Sequence, residues 1–312
     1  MEDVQPRSKL WIWLFGLFLG PVVLMLWLGR GRLALIYLFV PLLIAGALFQ
    51  AVARGLVTPP EWLGIELAAI LFYMPFNIIG FVHALIIRST SLWRPWFSRW
   101  YAAIILPFVA SWLIAFVVRE YFYQPFNAPS LSMNPTVMVG DHFFVSKIAY
   151  GEPQRGDVVV FKLPRDNQTD YLKRLIGLPG DRIQMRDGVL HINDVAVARR
   201  QIEDFVHEKG EGAGQSVPQY IETLPNGVTY RVLDLTSNGA VDNTEEYVVP
   251  EGHYFMMGDN RDNALDSRFL QDAPGGGVGY VPHQNLTGPV ILIFWNSYGI
   301  RIDGRLQGHS DK

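Results

Sequence analysis

Two hydroxyls and one amine stand out by residue type and spacing. The stretch NAPSLSMNPT, Asn127–Thr136, sets Ser130 and Ser132 two residues apart between Pro129 and Pro135. The prolines fix φ and narrow the freedom of the segment. Read as extended chain, Ser130 and Ser132 point to one face and Leu131 to the other. That arrangement suits a nucleophile beside a hydrogen-bond donor, although taken alone the stretch reads more readily as a serine-rich turn at a domain boundary. The amine is Lys173 in DYLKRLIGLPGD, Asp170–Asp181. On a strand it shares a face with Tyr171 and Leu175, which are otherwise apolar company. Burial without a counter-ion disfavours the charged form of a lysine and lowers its pKa. Bringing it from about 10.4 to near 8 costs about 3 kcal/mol. The product is a neutral amine able to take a proton from a serine hydroxyl, and serine–lysine pairs are a known variant of serine nucleophile chemistry.

Other site types are missing or weak. There is no G-x-S-x-G elbow and no H-E-x-x-H pair. GEGAGQ and GGGVG are glycine-rich, but neither joins a strand to a helix start, so they read as loops. DNRDNALD resembles a calcium loop only faintly, because Arg261 takes the third ligand position and Ala264 stands where the sixth-position glycine belongs. No metal ligand set and no cofactor motif emerge. Of the seven histidines, His142 is ten residues from Ser132 and is a candidate base, but a solitary histidine more often has a structural role. Cysteine is absent, which excludes disulfides, cysteine nucleophiles and thiolate metal sites. A net charge of −3 gives no basic field for nucleic acid.

The elements that must position these groups fall into two textures. Of 312 residues, 50% are hydrophobic and only 18% charged, against about 25% charged in soluble domains. The missing charge is concentrated in four uncharged runs, Leu10–Leu28, Leu33–Ala53, Leu67–Ile87 and Tyr101–Val118. Each is long enough to cross a hydrocarbon core of about 30 Å, and the expectation is four membrane helices within an anchor region 1–120. Buried core helices are the alternative. Pro21, Pro41, Pro75 and Pro107 inside the runs are tolerated in membrane helices. The first run exceeds a signal-peptide core and lacks a small-x-small site at its end. No Asp, Glu, Lys or Arg lies within the runs, which argues against an ion path. His83 and Asn77 read as glue between helices. Arg30 and Arg32 follow the first run, and Arg88, Arg94 and Arg99 follow the third, which assigns both loops to the cytoplasm. Everything after Arg119 is then extracytoplasmic, and with four crossings the N-terminus is outside too. Arg7 and Lys9 sit on the wrong side in that scheme.

From about Tyr121 onward, short alternating runs such as HFFVSKIAY, GDVVVFKL and GPVILIFW are separated by Gly-Asp, Pro-Gly and Asp-Gly turns. This predicts an all-β antiparallel domain over 121–312. A polar insertion covers about 199–250, with Glu208–Gln219 expected as a mobile loop.

Four ordered boxes resemble bacterial type I signal peptidase (leader peptidase), a Ser/Lys-dyad serine protease family. They are PSLSMNPT (Pro129–Thr136), RGDVVVFKLP (Arg155–Pro164), YLKRLIGLPGD (Tyr171–Asp181) and GDNRDNALDSR (Gly258–Arg268). The resemblance covers about 121–300. It implies a multi-pass protein of the bacterial inner membrane with an extracytoplasmic catalytic domain that removes signal peptides from preproteins after Ala-x-Ala sites. Its partners would be signal peptides, the lipid bilayer and the secretion translocon. Ser132 would be the nucleophile and Lys173 the general base, with Ser130 and the Ser132 N–H as oxyanion donors. Ala128, Pro129, Met133, Tyr171 and Leu172 would line small-residue pockets. Asp266 and Arg268 would brace the site as an ion pair, with Asp259, Asn260 and Arg261 in the same scaffold. Ala264 departs from the family, which usually has a serine there that orients the lysine. That departure, and spans beyond the usual one or two, motivate a second reading. In it the chain is a catalytically weakened paralogue that binds signal sequences or scaffolds secretion. A self-cleaving relative is a third and weaker reading.

Overall fold

A computed structural model of the chain describes residues 8–53, 56–57, 65–87, 95–147, 153–206, 214–236, 239–271 and 276–296. It divides into two units, Met1–Val118 and Arg119–Lys312. In the first, four helices match the four apolar runs: α1 (Lys9–Trp27), α2 (Gly31–Ala53), α3 (Ile65–Ile87) and α4 (Trp100–Tyr121). Among the described residues, three of them contain segments long and apolar enough to cross a membrane: Gly31–Val52, Ile70–Ile87 and Trp100–Tyr121.

α1 is broken in its middle. Gly20 takes φ 79° and ψ 175° in front of Pro21, which breaks the helix. Glycine reaches that backbone region without a Cβ clash, and proline supplies no N–H to continue the ladder. The two halves fold against each other. A Cβ built on Gly16 would stand 3.0 Å from Leu24 Cδ1, whereas eight residues of unbroken helix span about 12 Å. Trp13 lies edge-on to Phe81 of α3 with centroids 4.7 Å apart. Gly20 lies against Asn77, and Pro21 packs on Gly80. On its return the chain brings Gly31 against Phe97, just ahead of α4. α1 therefore enters and leaves at the end of the bundle where α3 stops and α4 starts. Asn77 Nδ2 donates to Tyr73 O within its own helix (3.1 Å). His83 Nδ1 meets the Tyr37 hydroxyl of α2 at 3.1 Å. Arg88 and Arg94 lie outside the described residues.

The second unit is built of antiparallel strands. First come β1 (Tyr123–Asn127), β2 (Asp141–Ser146), β3 (Val158–Lys162) and β4 (Asp170–Gly177). β5 (Arg182–Arg186), β6 (Val189–Ile192) and β7 (Val195–Ala196) follow as tight hairpins. The insertion holds β8 (Ala198–Gln201), β9 (Phe205–Val206), β10 (Ser216–Val217), β11 (Gln219–Thr223) and β12 (Thr229–Leu233). β13 (Tyr247–Val248), β14 (His253–Met257), β15 (Val281–Pro282) and β16 (Leu286–Asn296) complete the unit. The main sheet has the order β1-β2-β16-β3-β4-β14-β15, with smaller sheets β12-β11-β8, β13-β5-β6-β7 and β10-β9 beside it. Of the loop expected at Glu208–Gln219, residues 208–213 lie outside the described residues, and its end forms β10 and the start of β11.

The run VVVF of β3 is buried on both faces. Val158 and Val160 join Met133, Val137, Phe143 and Val290, while Val159 and Phe161 join Leu175, Tyr254 and Met256. With β3 fixed between two cores, its neighbour β4 is held in register, Val159 opposite Lys173.

The seam between α1 and α3 is testable by two glycine substitutions. A Cβ at Gly80 would meet Pro21 Cβ at 2.2 Å, whereas one at Gly46 meets nothing within 4 Å. Gly80→Ala should destabilise the detergent-solubilised protein by about 1–3 kcal/mol through overpacking. Gly46→Ala should leave its unfolding temperature unchanged or slightly raised.

Candidate active site

Three segments meet at the site: the β1–β2 connection, β4, and the turn that follows β14. Ser132 lies in a 3-10 turn, Leu131–Met133, and not in the extended chain expected of SLS. The turn is clamped through its carbonyls. Asn134 N and Asn260 Nδ2 both donate to Leu131 O at 3.1 Å, and Asn260 N donates to Ser132 O at 3.1 Å. Ser130, just ahead of the turn, keeps an extended backbone (φ −131°, ψ 159°). The change of conformation between the two serines brings their hydroxyls together at 3.1 Å.

β4 supplies Lys173, which is 3% exposed. Its Nζ lies 3.0 Å from Ser132 Oγ and donates to Leu172 O at 2.9 Å. It also sits 5.3 Å from the centre of the Tyr171 ring. Burial pushes this amine down to about 8, against the upward pull of Asp266 and Asp259, while Arg268 pushes it further down. Lys173 makes no ion pair among the described residues. Its cationic neighbours are all matched, each with its own carboxylate. Arg174 grips Asp259 through Nε (2.8 Å) and Nη2 (2.6 Å). Arg268 grips Asp266 through Nε (2.9 Å) and Nη2 (2.8 Å). Arg261 grips Glu222 of β11 through Nη1 (2.9 Å) and Nη2 (2.5 Å), and the Tyr230 hydroxyl of β12 donates to the same carboxylate at 2.6 Å. Asp266 also accepts from Gly258 N at 2.9 Å, and Arg268 Nη2 donates to Arg261 O at 2.6 Å.

Ala128, Pro129, Ser130, Ser132, Met133, Tyr171, Leu172 and Lys173 line one cleft of ≈ 800 Å³, together with Ala264, Leu265 and Phe269. Asp259, Asn260, Arg261, Asp266 and Arg268 lie behind it and are buried. His142 is not among the cleft residues. Its ring packs on Trp295, centroids 4.6 Å apart. The sequence reading missed Arg174, Glu222, Tyr230, Thr136 and Gly258. A charged side chain inside the apolar strand LKRLIG was a signal for Arg174, since such a position needs a buried partner. Gly258 is a close-approach glycine, where a Cβ would meet Ser132 O at 2.7 Å and Ala264 Cβ at 2.3 Å. Nothing local marks Glu222 or Tyr230, which lie 39 and 31 residues before Arg261.

A family profile described as signal peptidase, peptidase S26, matches residues 100–295. Signal peptidase I of Rickettsia typhi is 36% identical over 212 residues, covering 59% of this chain and 76% of its own. That of Rickettsia conorii is 35% identical over the same length and shares. A crystal structure of a signal peptidase I from Enterococcus faecalis aligns at 28% identity over 45% of this chain and 98% of its own, with a TM-score of 0.26. That superposition carries no argument about fold, which rests on the sheets themselves.

The buried amine has a consequence for stability. An unfolded lysine titrates near 10.5 and Lys173 near 8. Between those values the unfolded chain binds the proton and the folded one does not, so stability rises with pH across that window. Below about pH 8 the fold carries a penalty of about 3 kcal/mol. Lys173→Met should therefore raise the unfolding temperature at pH 7, and the gain should disappear above about pH 10.5.

Proposed function

The chain belongs to the signal peptidase family, peptidase S26, and is a serine endopeptidase; from that premise we propose that it removes signal peptides from exported preproteins after small-x-small sites, with Ser132 as nucleophile and Lys173 as general base. The observation that carries this reading is the 3.0 Å approach of Lys173 Nζ to Ser132 Oγ in a buried setting. The neutral amine takes the Ser132 proton as Oγ attacks the scissile carbonyl. Ser130 Oγ–H and the Ser132 N–H donate to the developing oxyanion, and a donor of this kind contributes about 3 kcal/mol. The amine then protonates the leaving nitrogen and activates the water that hydrolyses the acyl-enzyme. Ala128, Pro129, Met133, Tyr171 and Leu172 shape shallow apolar pockets that admit alanine and exclude larger side chains. The scheme needs no cofactor.

The reading of a weakened paralogue rests on Ala264. Against it stands the Leu172 carbonyl, which already orients the amine without a hydroxyl at position 264. The deciding experiment is cleavage of a preprotein bearing an Ala-x-Ala site by the purified protein in detergent. Ser132→Ala and Lys173→Ala should each abolish turnover. The kcat/KM of the wild type should climb about tenfold per pH unit on the acid side and level off near pH 8, the midpoint for Lys173. Ala264→Ser should change turnover by less than about tenfold, the worth of one hydrogen bond. A rise from near zero would instead favour the binding role. Full activity in either alanine variant at the pair refutes the assigned roles.

The protein is anchored in a membrane, and we place the anchor in the inner membrane with the β unit on the periplasmic side. Three crossings, with α1 turning back, keep Arg7, Lys9, Arg30, Arg32, Arg88, Arg94 and Arg99 together on the cytoplasmic side. The N-terminus is then cytoplasmic, and the mismatch that four crossings created for Arg7 and Lys9 disappears. The signal peptide, the bilayer and the translocon are its partners in this scheme. Because the chain has no cysteine, single cysteines report topology cleanly. Ser8→Cys should resist a membrane-impermeant maleimide in intact spheroplasts and react after lysis. Labelling before lysis would restore the four-crossing scheme.

A further inference from the structure

Three carboxylates converge beside the Ser–Lys cleft, with one guanidinium among them. Asp234 follows β12, Asp242 lies in the loop beyond it, and Asp262 belongs to the 3-10 turn Arg261–Asn263. One oxygen from each lies within 4.8 Å of the others. Asp234 and Asp242 are buried, 8% and 2% exposed. Arg199 of β8 is the cation at the cluster, pairing with Asp234 Oδ2. Its guanidinium is already committed elsewhere, donating to Gly188 O at 2.6 Å and lying 3.6 Å from the centre of the Tyr220 ring. Three carboxylates against one guanidinium leave an excess of negative charge, with Asp234 and Asp242 buried and Asp262 at the more open edge.

A second observation points into the same space. Asp234 Oδ1 is buried and has no hydrogen-bond partner. Burial raises the Asp234 carboxyl, the Arg199 bond opposes the rise, and the neighbouring Asp262 and Asp242 add to it. The other two carboxylates are held in place by the loop. Asp262 Oδ2 accepts from Leu235 N (2.7 Å) and Thr236 N (3.0 Å), and Asp242 Oδ2 accepts from Gly239 N (2.5 Å). Gly239 lets them approach, because a Cβ there would stand 2.6 Å from Asp262 Oδ1 and 3.3 Å from Asp242 Oδ2. The donor set is all oxygen, which selects a hard cation. Oxygens within 4.8 Å of one another can share one cation. An irregular carboxylate set held by a loop suits the flexible coordination of calcium, with water filling the remaining positions, better than the near-ideal octahedron that magnesium demands.

We propose that Asp234, Asp242 and Asp262 form a calcium-binding site that ties the loop after β12 to the 3-10 turn Arg261–Asn263. The turn runs directly into Ala264, and Asp262, Asn263 and Ala264 all line the cleft. The bound cation would fix that wall of the cleft to the insertion.

The test uses the full chain in detergent after treatment with EDTA, titrated calorimetrically with calcium chloride and, separately, with magnesium chloride. Its thermal unfolding is followed with and without each salt. One calcium per chain should bind with a dissociation constant of about 10⁻³ M or tighter, and 10 mM calcium should raise the unfolding temperature by a few degrees. Magnesium should bind at least tenfold more weakly. Asp242→Asn keeps the acceptor for Gly239 N but removes one charge. It should unfold in EDTA no earlier than the wild type and lose the response to calcium. No heat of binding and identical unfolding of the wild type in EDTA and in calcium would overturn the site, whether or not the variant folds. An unchanged calcium response in Asp242→Asn, or equal affinity for magnesium, would overturn it as well.

Discussion

The arrangement around Lys173 depends on a balance of buried charge. Four cationic side chains, Lys173, Arg174, Arg261 and Arg268, are buried within one region, together with three carboxylates, Asp259, Glu222 and Asp266. Each arginine holds one carboxylate in a paired geometry. Such pairs contribute little net stability once desolvation is counted, but breaking one leaves an uncompensated buried charge at a cost of about 3–5 kcal/mol. The pairs therefore lock one arrangement. They also leave the lysine as the one member of this group without a carboxylate of its own, and burial without one disfavours its charged form. Burial lowers the pKa of the amine, Asp266 and Asp259 pull it back up, and Arg268 pushes it down.

The same cluster explains why the segment after β14 and the insertion lie behind the cleft. Glu222 and Tyr230 come from β11 and β12, yet they hold Arg261 by its guanidinium. The carbonyl of Arg261 accepts from Arg268, and Arg268 is fixed by Asp266, which also takes the Gly258 N–H. Gly258 lies against the carbonyl of Ser132 with no room for a side chain. Asn260 then donates to that carbonyl and to Leu131 O. Hydrogen bonds, joined by the backbone from Gly258 to Asn260, thus link the insertion to the backbone of the serine. The insertion reads as a polar appendage in the sequence, but its buried face completes the scaffold.

What was legible in the sequence follows from how local each signal is. The apolar runs and the strand-and-turn texture are local, and they gave the helices and the antiparallel β unit directly. Ser132 and Lys173 stood out only through the resemblance of the ordered boxes, and their 3.0 Å approach depends on chain 41 residues apart. The break in α1 was only half legible. Gly20–Pro21 stands in the middle of an apolar run, but proline is tolerated in membrane helices. It is the packing of Pro21 on Gly80 and of Gly16 on Leu24 that turns the tolerance into a fold-back. The conformation of SLS was misread for a related reason. Its 3-10 turn is held by Asn260, which is 128 residues away in sequence from Ser132, and no window around the serines contains that information. Arg174–Asp259 and Arg261–Glu222 are equally non-local.

Ala264 changes meaning in this setting. The Lys173 Nζ already has two hydrogen-bond partners, the Leu172 carbonyl and the Ser132 hydroxyl. A neutral amine has two N–H bonds and one lone pair. With an N–H directed at Leu172 O, the lone pair is free to face the Ser132 hydroxyl, the orientation that the proposed proton transfer requires. The backbone of β4 thus supplies an orienting contact that does not depend on residue 264. The small methyl of Ala264 instead meets Gly258, where a Cβ on the glycine would come within 2.3 Å of it. The closeness of these two residues keeps the turn after β14 tight against the carbonyl of Ser132. At this position the chain combines a compact wall with an amine held by the carbonyl of its own strand.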